Sequence, residues 1–192
     1  MVDKLEEKLV YFEKQGADMM CGVHCINALL QGPYFDEVTM SNIALGLDQR
    51  ERDLMAEAGF TSTDYLKFMQ EGSSNVADDG NYSIQVLSEA LKSFGEVRCE
   101  PIEKKEVKQS IVDYAQEQAF ICHSVDHWIA IRRLNGVWYN LNSTNMVPPG
   151  PQIISDFYLA AFLDSIQKTG FTIFVVRGAL PLPKRQLNLR PN

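Results

Sequence analysis

Little in this chain points to a membrane, a nucleic acid or a disulfide scaffold. No apolar run approaches the roughly 18 residues that a membrane span needs. The opening stretch MVDKLEEKLVYFEKQ is charged and lacks the apolar core of a secretory signal. Basic residues are in the minority, 18 Lys and Arg against 25 Asp and Glu. The resulting net charge of −7 argues against a general nucleic-acid binder, which needs a basic face to neutralise phosphates. Cysteine is scarce, and four in 192 residues do not build a disulfide framework. The expected setting is the cytoplasm and nucleus, where thiols stay reduced. Internal repeats and low-complexity tracts are missing as well. What is present is a globular composition, 45% apolar, sufficient for the core of one domain.

The first half reads as helical. Residues 21 to 31 carry Val23, Ile26, Leu29 and Leu30 at helical spacing, and Gly32-Pro33 stops the run. Residues 38 to 58 place Met40, Ile43, Ala44 and Leu47 on one face, and a further short helix, DYLKFMQEG, follows Thr63. Together, residues 36 to 71 form a candidate helical hairpin protruding from the body. The stretch GSSNVADDGNY, 72 to 82, is loop by composition and a candidate hinge. Ser83 can cap a helix over 83 to 94. Beyond it come strand-like runs, EVRCEPI, AFICHSV, HWIAIRRL and VWYNLNS, while residues 106 to 118 show no clear pattern. An amphipathic helix over 155 to 168, closed by Gly170, and a last apolar strand, FTIFVVRG, complete the domain. The expected fold is α+β, with an antiparallel sheet carrying helices on one side. The domain spans residues 1 to 180, and 181 to 192 form a loosely ordered tail.

The residues that can carry chemistry fall into two clusters, Cys21/His24/Cys25 and Cys122/His123/His127. Asn135-Gly136 between two strand runs is a strong two-residue turn signal. With that turn, Leu134 faces Val137, Ile129 faces Asn142 and His127 faces Thr144. His127 and Asn142 then share a face, offset by two residues, within reach of each other's side chains. Asn140 shares the face but lies about 13 Å from His127 along a strand rising ~3.3 Å per residue. A histidine oriented by an amide is the supporting half of a thiol protease site. Cys21, at the start of a helix, suits the nucleophile, because unpaired N–H groups and the helix dipole favour thiolate there. Gly22 beside it leaves room for a substrate backbone. The Cys21 backbone N–H and the Gln15 side-chain amide, six residues upstream, are candidate oxyanion donors.

Other readings of these residues stand beside this one. Cys21 can be a buried thiol, as Cys25, Cys99 and Cys122 are read to be. His24, at i+3 from Cys21, is a rival base or a structural residue. His123-x3-His127 has a metal-ligand spacing. Taken as one strand, however, it holds the two rings about 13 Å apart. Trp128 is most simply core.

In order along the chain, EKQ, MCGVHCINALLQGPYF, NYSIQVLSEAL, FICHSVDHWIAIRRLNGVWYNLNS, ISDFYLAAFLDSI and GFTIFVVRG resemble the Josephin family, in its ataxin type. The resemblance runs from about Tyr11 to Gly178. It implies a papain-like cysteine protease fold with a protruding helical hairpin, and cleavage of ubiquitin from lysine side chains or from other ubiquitins. On this resemblance the nucleophile is Cys21, the base His127, the orienting amide Asn142 and the oxyanion glutamine Gln15. It implies no metal and no organic cofactor. The partners it implies are ubiquitin and polyubiquitin chains, with proteasome shuttle or unfoldase factors, for a monomeric chain. The chain departs from the family pattern at one point. The glutamine precedes the cysteine by six residues instead of five. That departure alone favours an alternative, a ubiquitin-binding module of the same fold with a weak or inactive site.

Overall fold

The computed structural model describes residues 10–183 apart from 58, 72, 77–80, 126, 145 and 146. Parts of the expected 72–82 hinge and nearly all of the expected tail therefore lie outside the described residues.

Helix α1, Cys21–Leu30, is the centre of the molecule, and nine of its ten residues are buried. A helix apolar on all sides belongs inside a core, and His24 alone reaches the surface. It ends at Gln31, whose left-handed backbone (φ 61°) turns the chain into Gly32-Pro33. Buried Asn27 secures that exit, its Oδ1 accepting from the Tyr34 and Phe35 N–H groups at 3.1 and 2.9 Å.

Helices α2, Glu37–Glu57, and α3, Thr63–Glu71, form the expected hairpin. Its only buried α2 residues are Met40, Ala44 and Asp48, a single stripe four residues apart along the first half. That half packs on α4, Ile84–Lys92, while the residues beyond Asp48 are half-buried or exposed. Ser83 caps α4 as expected, accepting from the Val86 N–H.

The strands are β1 Arg98–Pro101, β2 Ala119–Ser124, β3 His127–Leu134, β4 Val137–Asn140, β5 Gln152–Ile154 and β6 Thr172–Arg177. They form one antiparallel sheet in the order β1-β6-β2-β3-β4-β5. Residues 106 to 118, without a clear pattern in the sequence, hold all but the first residue of a short helix, α5 Lys105–Ser110, and a 3-10 turn at Tyr114–Gln116. Strand β5 is an element the sequence reading missed, because prolines at 148, 149 and 151 disguise it as loop. Its place on the sheet edge is where prolines are tolerated.

The expectation of helices on one side of the sheet is corrected. One face of the sheet, with Ile121, Trp128, Ala130, Tyr139 and Phe174, packs with α1 and α4. The other, with Phe120, Cys122, Ile129, Ile131 and Trp138, packs with α6, Asp156–Lys168. Burial on both faces explains why FIC and WIAI are continuous apolar runs, not alternating ones.

Candidate functional site

The β3–β4 turn forms as its residues demand. Asn135 and Gly136 both take positive φ, 50° and 84°, the requirement of a two-residue I′ hairpin. The register follows: Leu134 pairs with Val137 and Ile131 with Asn140. The chain leaves β4 with the Leu141 N–H still bonded to Ala130, so Asn142 arrives at the start of β3. There the His127 Nε2–H donates to Asn142 Oδ1 at 2.6 Å. The same oxygen accepts from the Thr144 N–H at 3.1 Å and from the Thr144 hydroxyl at 2.9 Å. With three donors aimed at one oxygen, the amide can only stand with its oxygen towards His127. Asn140 sits behind, where its Oδ1 accepts from the Asn142 N–H at 3.1 Å. With Nε2 committed to Asn142, Nδ1 of the neutral ring is the nitrogen left to accept a proton.

Cys21 opens α1, and α1 packs on β3. The closest marker of that contact is Gly22, where a Cβ would stand 3.6 Å from Trp128 Cδ1. Gly22 and Trp128 each adjoin a candidate residue along the chain, Cys21 and His127 respectively. The same observation corrects the reading of Gly22. It faces Tyr82, Leu87 and Trp128 inside the core, not a substrate groove. Met20, preceding the helix, supplies no side-chain cap, so the positive end of α1 lies beside the Cys21 thiol.

Gln15 is tied to the segment that carries Asn142. Its backbone N–H donates to the Ser143 carbonyl at 3.0 Å, and the Ser143 hydroxyl donates to Gln15 Oε1 at 3.1 Å. One hydrogen of its Nε2 goes to the Asp18 carbonyl at 2.6 Å. An amide nitrogen has two, so a second donor remains.

None of the four cysteines forms a disulfide. Cys25 and Cys122 are buried, and burial pushes their pKa values well up. Cys99 is raised to about 12 by the same cause. These thiols are chemically quiet at neutral pH, in agreement with their reading as core. His123 and His127 do not lie on one strand, since the chain turns between β2 and β3. His123 pairs with Trp128 and Ser124 with His127. The two histidines therefore point to opposite faces, and His123 stacks on Trp128 with ring centroids 3.8 Å apart.

Thr144, expected only to face His127, holds the Asn142 oxygen, and Ser143, to which the sequence assigns no place in the site, holds Gln15. The signal was present in Asn142-Ser143-Thr144, because Asn bonds readily to the backbone two residues on.

Residues 16–177 match the family model described as Josephin, and Gln15 stands one residue before that stretch. Ataxin-3 of Homo sapiens is 45% identical over 172 residues, which cover 90% of this chain and 46% of that protein. The ataxin-3 homolog of Arabidopsis thaliana is 41% identical over 177 residues, covering 90% of this chain and 60% of that one. The ataxin-3 homolog of Caenorhabditis elegans is 32% identical over 176 residues, with 90% and 50% covered. The chain spans about half the length of these relatives. A family match over most of the chain, together with relatives at this identity, means that the chain belongs to the Josephin family of ubiquitin-related cysteine proteases.

Proposed function

We propose that this chain is a cysteine-type deubiquitinase that hydrolyses isopeptide bonds at the ubiquitin C-terminus through an acyl-enzyme on Cys21. The observation that carries the reading is the 2.6 Å bond between Asn142 and His127, the first residue of the strand against which Cys21's helix packs. It leaves His127 Nδ1 as the base, and it comes with the uncapped start of α1 beside the thiol. In the reaction, Nδ1 takes the Cys21 thiol proton and the thiolate adds to the carbonyl carbon of ubiquitin's last glycine. The second Gln15 amide hydrogen and the Cys21 backbone N–H serve as oxyanion donors. As the carbon–nitrogen bond breaks, the imidazolium returns the proton to the leaving lysine amine. Water then attacks the thioester, giving its proton to His127, and the carboxylate and the thiol are restored. No metal or organic cofactor takes part in this scheme. Residues 1 to 180 act as the catalytic domain, the narrow Gly-Gly end of ubiquitin enters a groove beside the helical hairpin, and the setting is cytoplasm and nucleus.

The test is labelling with ubiquitin that carries a thiol-reactive C-terminal group, on the wild type and on Cys21→Ala. The expected result is an adduct heavier by one ubiquitin, lost in the variant. An adduct of equal yield on Cys21→Ala overturns the assignment. A second reading, a ubiquitin-binding module with a weak site, is favoured by one observation: the Gln15 amide is partly spent on Asp18. Tight ubiquitin binding with neither adduct nor turnover would select it.

A further inference from the structure

His24 is the one residue of α1 that reaches the surface, and it does not face open water there. Its Nδ1 lies 2.7 Å from Glu13 Oε2 and its Nε2 lies 3.0 Å from Asp18 Oδ1. A neutral imidazole has one N–H, so only the imidazolium donates to both carboxylates. Asp18 in turn holds the backbone around it. Its Oδ2 accepts from the Gly16 N–H at 3.1 Å, and its Oδ1 accepts from the Met20 N–H at 3.0 Å. The Asp18 carbonyl is also the group that accepts from Gln15 Nε2. Glu13 is anchored separately, by Asn27 Nδ2 at 3.1 Å and by the Tyr11 hydroxyl. The turn from Gln15 to Met20 is thus closed on itself by Asp18 and pinned to α1 by one histidine.

We propose that His24 is a positioning residue for the reaction assigned above, clamping the turn between Glu13 and Asp18 so that the Gln15 amide is held beside Cys21. It touches no substrate and acts only through that turn, and the inference rests on the deubiquitinase reading for its effect on turnover.

The charged and titratable groups facing the ring are Glu13 and Asp18 on the strap, with Tyr11 behind Glu13. The bond to Glu13 raises the His24 pKa above 6.5; burial opposes the rise, and Asp18 adds to it. Its folded value being raised, the clamp contributes fully below about 6.5 and is lost as pH rises through the folded value. For Asp18 burial works against ionisation, but bonds from the Met20 N–H, His24 and the Gly16 N–H outweigh it and lower the pKa below 3.8. Its share is present above that value and is lost as pH falls through the lowered one. The clamp is whole between these two limits.

The test is a double-mutant cycle of His24→Gln with Gln15→Ala. It is read as kcat and KM on a ubiquitin C-terminal fluorogenic amide, with NMR titration of the His24 ring and the Gln15 amides alongside. The expected result is a kcat about tenfold lower in His24→Gln with KM nearly unchanged, since a displaced oxyanion donor costs transition-state binding. In the Gln15→Ala background the same change is expected to cost less than about twofold, because coupled residues are not additive. Glu13→Gln, which leaves the ring in place, gives the same pattern should His24→Gln fold poorly. A full effect in both backgrounds, or a change in KM alone, overturns the proposal. If the wild type turns over nothing, the deubiquitinase reading fails on its own, and the NMR arm still reads the clamp. Gln15 amide shifts that follow the His24 titration support it, and Gln15 amides indifferent to that titration overturn it.

Discussion

Helix α1 and helix α2 are neighbours in sequence and opposites in structure. Nine of ten residues are buried in the first, and three of 21 in the second. The candidate chemistry starts at α1, where packing on β3 and α4 fixes the backbone on all sides. The hairpin of α2 and α3 is held at its base. Asn75, itself fully buried, donates to Asp48 Oδ1 at 2.7 Å and accepts from the Ser83 hydroxyl at 3.0 Å. Tyr82 adds its hydroxyl to Ser41 and to the Glu37 carbonyl. Further out, Leu54, Phe60, Leu66 and Met69 are about half exposed or more. A rigid floor and an arm fastened at one end are the arrangement expected where a site needs fixed geometry and its rim needs to admit a large substrate.

That contrast can be broken from either side. Trp128→Ala, in the floor, should cost about 3–5 kcal/mol in urea unfolding, as large-to-small changes in tight cores do. A loss within ~0.5 kcal/mol would mean that the α1–β3 contact is not the floor. Asn75→Ala should cost about 1–3 kcal/mol, because it leaves the buried Asp48 carboxylate without its donor. Hydrogen exchange should then rise across 37–71 while the sheet stays protected; equal loss in both would mean that arm and floor open together. Gly22→Ala should stabilise by about 0.5–1 kcal/mol, the ordinary gain inside a helix. The added methyl meets the Tyr82 ring at 3.4 Å, the near limit of ordinary contact, so a destabilised variant would show that the ring cannot give way. Leu54→Ala, on the arm, should change stability by no more than ~0.5 kcal/mol, as exposed positions do.

The hairpin turn was legible because Asn135-Gly136 leaves the backbone few choices, and once the turn is known the register puts Asn142 beside His127. Family resemblance selected the same residues by a separate route. What the sequence obscured depends on contacts distant in the chain. Helices on both faces of the sheet were hidden because an apolar run does not say which face each residue serves. The role of Gly22 turned on which way α1 rotates against β3. The Glu13–His24–Asp18 cluster joins a strap to a helix whose exposed side is a single residue. No periodicity announces such a pairing, and its only trace was one of two polar residues in a mostly apolar helix.

The turn between Gln15 and Cys21 has a consequence for how this fold tolerates change in length. Gln15 is moored to Ser143, and Cys21 belongs to the helix, so both ends are set by structure outside the turn. Between them Asp18 gathers two backbone N–H groups onto its own carboxylate. An added residue there lengthens a short exposed turn whose two ends are held from outside it, at little cost in entropy. The spacing between glutamine and cysteine can therefore take an extra residue so long as Asp18 still closes the turn and His24 still pins it, because those bonds hold the Gln15 amide.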